Sequence, residues 1–222
     1  MYQIYIGLFT EGSTDIRFLE PIVEKSFLQI AELQSSVDIE ITVQPIIINK
    51  KGKNFVEQVQ EALTIGYDKY GISILCVQAD ADDKKLDATY KNKINKTLDL
   101  LTNSEIKCKN IVALIPIQET EAWMLADKEL LKIQIGTNKI DAELGIHREP
   151  ENIANPKETI ENAIRIARVG LTKKRRHDLK IDELYALMGQ SIKLSKLDSL
   201  SSFQDFKNNI IATFKQMGIL KL

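Results

Sequence analysis

The sequence predicts an α/β protein with a parallel sheet flanked by helices. Strand-like and helix-like segments alternate through the first half of the 222-residue chain, which is typical of βαβ units. Residues 72–77 (ISILCV) and 111–117 (IVALIPI) are almost wholly apolar, as expected of strands buried on both faces of a parallel sheet. From about Gly136 the strand signals stop. We therefore expect a Rossmann-like domain over residues 1–135, with a helical region over residues 136–222 packed on it.

Each element follows from its residue pattern. β-branched and aromatic residues, short apolar runs and alternation indicate the strands, and apolar residues at helical spacing indicate the helices. Pro21 falls inside the first helical pattern, where we expect a kink or a restart. The predicted strands cover residues 2–9, 37–48, 72–77 and 111–117. The predicted helices cover residues 15–33, 55–70, 85–101, 156–169, 181–188 and 203–217.

Composition and motif content limit the functions and the cellular compartment that we expect for the protein. The formal net charge is −1, so nucleic-acid binding would depend on a local basic patch. Two cysteines without metal-ligand spacing, and no apolar run near the roughly 20 residues that span a bilayer, predict a cytoplasmic protein. No N-terminal secretion signal is expected, because Glu11 and Asp15 interrupt the first apolar run early. The sequence has no P-loop motif, so we expect no ATP hydrolysis by that chemistry.

Acidic residues follow three of the predicted strands. Because the carboxyl ends of parallel strands meet at one sheet edge, we expect these acids to lie close together. Crowded carboxylates need a proton or a cation, and their oxygens suit Mg²⁺ or Mn²⁺. Two such ions about 4 Å apart would stabilise an in-line phosphoryl displacement. The acids, in chain order, are Glu11 and Asp15, Asp80 and Asp82, and Glu119 and Glu121.

Each acid taken alone also has an ordinary explanation. Glu11 fits a surface acid at a strand end, and Asp15 fits the acid preference of a helix N-terminus. Asp82 and its neighbour Asp83 fit a solvated turn. Two residues apart on a helix, Glu119 and Glu121 would point in different directions, so one of them would face the site. The convergence of three strand ends favours the metal site.

Three segments resemble the Toprim domain, found in topoisomerases, bacterial primases and overcoming-lysogenization-defect (OLD) nucleases. Residues 4–19 (IYIGLFTEGSTDIRFL) and 74–83 (ILCVQADADD) resemble its strand-end Glu, the acid four residues later, and its Asp-x-Asp. Residues 115–127 (IPIQETEAWMLAD) resemble a motif of small standalone bacterial Toprim-like proteins associated with phage defence. The resemblance implies a Toprim-like, Rossmann-like fold.

The resemblance also implies roles for the acids and a need for Mg²⁺ or Mn²⁺. Glu11 matches a metal ligand or general base, and Asp80 and Asp82 match the Asp-x-Asp metal ligands. Asp15 matches the acid that OLD-type nucleases use for a second ion. Glu119 and Glu121 match the acidic pair of the standalone proteins, one of them a ligand. Because Asp83 is a third acid beside Asp80 and Asp82, the resemblance does not decide which of these three acids bind the metal.

Basic residues form two candidate nucleic-acid-binding groups. One follows the second strand and the other is the densest basic run, and each also fits an ordinary solvated surface. OLD-type nucleases place a basic residue downstream of their acids, and Lys174 is the candidate for that catalytic role. The groups are Lys50, Lys51 and Lys53, and Lys173, Lys174, Arg175 and Arg176.

Two functional hypotheses follow. The first is a metal-dependent nuclease that acts on DNA or RNA in phage defence, with a separate ATPase partner that would gate it. The second is a non-catalytic Toprim-like binding or regulatory subunit of an ATPase-containing complex. Cleavage of nucleic acid in the presence of metal distinguishes them.

Overall fold

The computed structural model describes residues 2–35, 37–81, 86–102, 104–169 and 179–220. Within these ranges a four-stranded sheet with the order β2-β1-β3-β4 has every pair of neighbours parallel. This arrangement, with helices around the sheet, confirms the predicted α/β, Rossmann-like class. The strands are β1 (Tyr2–Phe9), β2 (Ile39–Pro45), β3 (Ile74–Gln78) and β4 (Ile111–Leu114).

Helices connect the strands and make up the described part of the chain after residue 120. Those between the strands are α1 (Asp15–Gln34), α2 (Phe55–Tyr70), α3 (Leu86–Thr89), a π-helical segment (Tyr90–Ile94) and α4 (Asn95–Thr102). After β4 come α5 (Glu121–Met124), α6 (Lys128–Ile135), α7 (Asp141–Leu144), a 3₁₀ turn (Pro150–Asn152), α8 (Pro156–Ala167), a second 3₁₀ turn (Ile181–Glu183), α9 (Leu184–Ser191), α10 (Leu194–Leu197) and α11 (Ser201–Gln216).

The sheet is buried on both faces. Successive side chains of a strand point to opposite faces, so Ile74 and Cys76 of β3 join one core cluster while Leu75 and Val77 join the other. The first cluster contains the apolar faces of α1, α9 and α11, and the second contains those of α2 and α4. This explains why the sequences of β3 and β4 are nearly all apolar.

The C-terminal helices share the first of these clusters with α1. Gly189 of α9 lies so close to α1 that a Cβ atom there would be 2.8 Å from the Cα of Phe18. The amine of Lys25 on α1 donates to the carbonyl of Gln190 at 2.6 Å, which satisfies an end of α9 that has no partner within its own helix. The helices after α5 are thus part of the same core as the sheet.

Three local features differ from the sequence prediction. α1 continues through Pro21 without a restart, because Phe18 and Ile22 on either side of it pack into one core. The helix predicted over residues 85–101 contains the π-helical segment, and β4 ends at Leu114, before residue 117. In the described ranges, no helix is long and apolar enough to cross a membrane.

Candidate metal centre

Two acids stand where β1 turns into α1. Glu11 lies two residues beyond the end of β1, and Asp15 is the first residue of α1. The Asp15 side chain is buried, with 8% of its surface exposed, and its Oδ2 accepts a hydrogen bond from the backbone N–H of Gly12 at 3.1 Å. The tight turn between the strand and the helix thereby holds Asp15 against the sheet edge.

Glu11 is joined to Asp80, which follows β3. Oε2 of Glu11 accepts the backbone N–H of Asp80 at 3.0 Å. The fully buried side chain of Gln78 makes the second link, since its Oε1 accepts the N–H of Glu11 and its Nε2 donates to Oδ1 of Asp80, each at 2.8 Å. Gln78 therefore fixes both acids relative to the end of β3.

The chain after β4 delivers the acidic pair of the third motif. Pairing with β3 continues past β4 to a bridge between Ala81 and Ile117. The next residue, Gln118, has φ of 67°, in the left-handed region, which costs free energy for a residue other than glycine and is found more often at functional sites. This turn leads directly into Glu119 and α5.

The structure separates the two members of that pair. Glu121 is buried, with 5% exposed, and its Oε1 accepts a hydrogen bond from the hydroxyl of Tyr185 on α9. Glu119 is partly exposed, and its Oε2 accepts the backbone N–H of Lys157 in the first turn of α8 at 3.4 Å. Glu121 therefore faces inwards and Glu119 lies at the rim.

Crowding of these acids changes their ionisation. Burial, and then the charge of Glu121, raises the pKa of Asp15 to about 6, against the opposing effects of the Gly12 N–H and Lys157. Burial raises the pKa of Asp80 to about 8, with further contributions from Asp15, Glu11, Glu121 and Glu119. Burial and the neighbouring Glu121 also raise the pKa of Glu119. The acids of all three strand ends thus interact electrostatically, as like charges in one site must.

Thr120, between the two glutamates, contributes a polar atom to the same region. Its hydroxyl lies beside the carboxyl group of Asp15 and favours the charged form of that group. No hydrogen bond of normal geometry joins this hydroxyl to any described residue, although only 1% of Thr120 is exposed. The Thr120 hydroxyl therefore belongs to the polar surroundings of the Asp15 carboxyl group.

Lysines border the acidic edge. The amine of Lys93, in the π-helical segment, lies 2.7 Å from Oε1 of Glu11. The amine of Lys50 donates to the backbone carbonyls of Thr10 and Glu11, at 2.6 and 2.7 Å, and burial lowers its pKa. Lys50 therefore stabilises the turn after β1 and points towards the acids.

The other predicted basic residues have different surroundings. Lys51 is exposed. The amine of Lys53 lies 2.5 Å from Oε2 of Glu61 on α2 and forms an ion pair with it. This pair partly neutralises the charge of Lys53. Lys173, Lys174, Arg175 and Arg176 lie outside the described residues, as does the predicted ligand Asp82.

The acidic edge fits a hard divalent cation in charge and in donor chemistry. Its donors are carboxylate oxygens, the ligands preferred by Mg²⁺ and Mn²⁺, and burial followed by neighbouring negative charge raises the pKa values of Asp15, Asp80 and Glu119. Among the described residues, no three Asp, Glu, His or Cys side chains already converge as a metal-ligating group. The residues that would hold the ion are Glu11, Asp15, Asp80 and Glu121.

The comparison with protein families covers almost the whole chain. The model of the family described as Domain of unknown function (DUF4276) matches residues 10–211. The chain belongs to this family. The DUF4276 match includes Glu11, Asp15, Asp80, Glu119 and Glu121, together with the C-terminal helix α9 that contacts Glu121. No curated protein matches the chain. No solved structure matches it either.

Sequence reasoning did not select four residues that contact or border the acids of this DUF4276 chain. Three of them are Gln78, which completes an apolar strand, Lys93, which lies in a polar helix, and Tyr185, which lies in a helix 64 residues beyond Glu121. Lys157, the fourth, follows the proline that begins α8. The one available signal was the polar Gln78 at the end of a run of buried residues.

Proposed function

We propose that the protein is a cytoplasmic nuclease that depends on Mg²⁺ or Mn²⁺, with its active site at the acidic edge of the sheet. The supporting observation is the crowding of acids from three strand ends at a buried edge, where burial, and then the charges of the neighbouring acids, raise the pKa of Asp80 to about 8. Ionising buried acids that lie close together costs free energy in the metal-free protein, and a bound cation would lower that cost. The sequence resemblance to Toprim domains supports the same reaction.

Each residue of the acidic edge would have a role in phosphodiester hydrolysis. A bound Mg²⁺ or Mn²⁺ would supply charge neutralisation and a more acidic water. Glu11, Asp15, Asp80 and Glu121 would hold the cation, and Glu11 would also orient the water or accept its proton. Lys93, which lies 2.7 Å from Glu11, would bind phosphate oxygens and stabilise negative charge as the bond breaks.

A second candidate is the non-catalytic subunit of a complex with a separate ATPase. The observation in its favour is the state of Glu11, whose two carboxylate oxygens already bond to Lys93 and to the Asp80 N–H. In this proposal the ion pair with Lys93 would stay intact, and the acidic edge would bind metal without turnover. A role in phage defence is compatible with either candidate.

A cleavage assay with matched variants tests the proposal. Plasmid DNA, single-stranded DNA and transfer RNA are incubated with purified protein and Mn²⁺, at pH 8. Asp80→Asn and Asp15→Asn keep the side-chain shape and remove the charge, and Asp68→Asn, at an exposed position on α2, is the control. We expect wild type and Asp68→Asn to cleave, and each site variant to lose at least about 100-fold in rate, a typical loss for a catalytic group.

The outcomes separate the two candidates. Circular dichroism and thermal melting establish that the variants fold. Cleavage that survives both site substitutions would refute an active site at the acidic edge. No cleavage by wild type, with Mn²⁺ binding that depends on Asp80, would support the non-catalytic subunit.

A further inference from the structure

A groove runs beside the acidic edge, on the side of the second core cluster. It has a volume of about 800 Å³ and lies between the N-terminus of α2 and the segment from the π-helical turn into α4. Phe55 and Gln60 line it from α2, and Asn92 and Lys96 line it from the opposite wall. None of these residues belongs to the acidic edge.

Lys93 connects the groove to the acids. Its amine lies 5.4 Å from the centre of the Phe55 ring, over the ring, and 2.7 Å from Oε1 of Glu11. The Phe55 ring is partly exposed and is fixed by an edge contact with Phe9 at 6.2 Å between ring centres. Lys93 therefore links the acidic edge to the Phe55 ring, which lines the groove.

The groove carries the chemistry that recognises a nucleotide. A partly exposed aromatic ring provides a surface on which a base can stack. The carboxamides of Gln60 and Asn92 each offer a donor and an acceptor to the edge of a base. Lys96, exposed on the opposite wall, is available for a phosphate.

Acidic residues in the groove do not oppose this assignment. The carboxylate of Glu57 accepts the backbone N–H of Asn54 at 2.8 Å, in the capping box of α2, so it is committed to the helix. Asp99 lies about one turn beyond Lys96 on α4, and so further along that helix from Lys93. The part of the groove next to Lys93 therefore has the aromatic ring, the carboxamides and the cations.

The wall formed by the π-helical segment is held rigidly from behind. The side-chain amide of Asn209 on α11 donates to the hydroxyl of Tyr90 at 2.6 Å and to the carbonyl of Ala113 on β4 at 3.0 Å. The Tyr90 hydroxyl in turn donates to Asp205. A preformed wall lowers the entropic cost of binding a ligand, and π-helical segments occur frequently at functional sites.

We infer that this groove binds a nucleotide of a single-stranded nucleic acid, with its base against Phe55 and its backbone leading to the acidic edge. Bases in a duplex are paired and stacked on each other, so a side-chain ring within a groove reaches only an unpaired base. The inference deepens the proposed nuclease function and rests on it for the direction of the strand. DNA and RNA share the required chemistry.

Binding without cleavage is the direct test. Fluorescence anisotropy with labelled 12-mers of single-stranded DNA, single-stranded RNA and the matching DNA duplex is measured in EDTA, where no metal-dependent cleavage occurs. Phe55→Leu keeps an apolar side chain and removes the ring. Tyr67→Leu is the control, because Tyr67 is an exposed aromatic residue in the last turn of α2, with the amine of Lys107 5.2 Å from its ring centre.

We expect Phe55→Leu to weaken single-strand binding about tenfold, since the base loses the aromatic surface on which it stacks. Tyr67→Leu should change it less than about twofold. Lys96→Glu, at an exposed position, should weaken it and reduce its salt dependence, and circular dichroism checks that the variant folds. The comparison of single-stranded DNA with single-stranded RNA shows which of the two nucleic acids the groove prefers.

The result that would overturn the inference is equal binding of single strand and duplex, or single-strand binding unaffected by both Phe55→Leu and Lys96→Glu. A cleavage assay in Mn²⁺ is run in parallel, so that the two proposals fail separately. Phe55-dependent single-strand binding without cleavage would support the groove and refute the nuclease. Cleavage without such binding would refute the groove alone.

Discussion

The amine of Lys93 lies 2.7 Å from Oε1 of Glu11, so an acid of the candidate metal centre is already paired with a cation. The pair is partly exposed, with 23% of the Lys93 side chain and 32% of the Glu11 side chain accessible. At such exposure, an ion pair contributes only about 0–1 kcal/mol. In the proposed metal centre, a divalent cation would therefore displace Lys93 at little cost, and Lys93 would compete only modestly with it.

Replacing Lys93 should strengthen metal binding. For Lys93→Met we expect the Kd for Mn²⁺ to fall about two- to fivefold, the ratio that corresponds to the loss of up to about 1 kcal/mol of competition. Isothermal titration calorimetry at pH 8 measures the change. Lys91→Met, at an exposed position of the same π-helical segment, should leave the Kd unchanged. Weaker Mn²⁺ binding by Lys93→Met would show that the lysine supports the metal site.

Asp80 should make the stability of the metal-free protein depend on pH. Its pKa is raised from the ordinary value of 3.8 to about 8 in the folded protein. Between these values the folded state binds more protons than the unfolded state, so the free energy of unfolding falls as pH rises. Below about pH 4 the cost is absent, and above about pH 8 it is complete.

Asp80→Asn removes this cost while it keeps the oxygen that accepts from Gln78. We expect the variant to gain at least about 1 kcal/mol over wild type on going from pH 5 to pH 8, since one pKa unit corresponds to about 1.4 kcal/mol. Urea unfolding in EDTA at the two pH values measures the difference. Asp68→Asn should show no such gain. If the two variants behave alike, the Asp80 carboxyl group ionises without a cost to folding.

The sequence predicted the local elements with the strongest patterns. The predicted bounds of β1 and α2 match the structure, because β1 is short and rich in β-branched and aromatic residues and α2 has a capping box at Asn54 and a glycine at its end. The short helices α6, α7 and α10 were missed, since four to eight residues carry too little helical periodicity to recognise.

The same distinction between local and long-range signals decides which parts of the candidate site could be predicted. Strand ends can be recognised locally, so the rule that they meet at one edge predicts which acids are neighbours. Contacts such as the pairing of Lys93 with Glu11, 82 residues apart, and of Gln78 with Glu11, 67 residues apart, depend on how helices pack on the sheet. No spacing in one sequence encodes those contacts.

Close packing of α9 on α1 should make Gly189 intolerant of any side chain. A Cβ atom there would clash with the backbone of Phe18, and backbone in a helix moves only if the two helices separate. We expect Gly189→Ala to cost about 2–3 kcal/mol of unfolding free energy, the upper range for overpacking. Urea unfolding measures this, with Gln190→Ala, at the exposed neighbouring position, as the control. A loss below about 0.5 kcal/mol would mean that α9 is not packed closely on α1.

Glu151 should contribute strongly to the start of α11, although it lies 50 residues before that helix. Its two carboxylate oxygens accept four hydrogen bonds, at 2.6–2.9 Å, from the backbone N–H groups and hydroxyls of Ser201 and Ser202. The hydroxyl of Ser202 also accepts the indole N–H of Trp123 at 2.8 Å. A negative charge at a helix N-terminus satisfies free N–H groups and interacts favourably with the helix dipole.

For Glu151→Ala we therefore expect a loss of about 2 kcal/mol, and for Glu151→Gln, which keeps one acceptor oxygen, about 1 kcal/mol. Urea unfolding followed by fluorescence measures both, because the chain has one tryptophan and Trp123 bonds directly to the capped serine. Glu149→Gln, at an exposed position two residues earlier, should be neutral. Since the carboxylate of Glu151 caps the helix from a distant loop, its loss should also shift the emission of Trp123 before unfolding begins. Stability and emission equal to those of the control would contradict the cap.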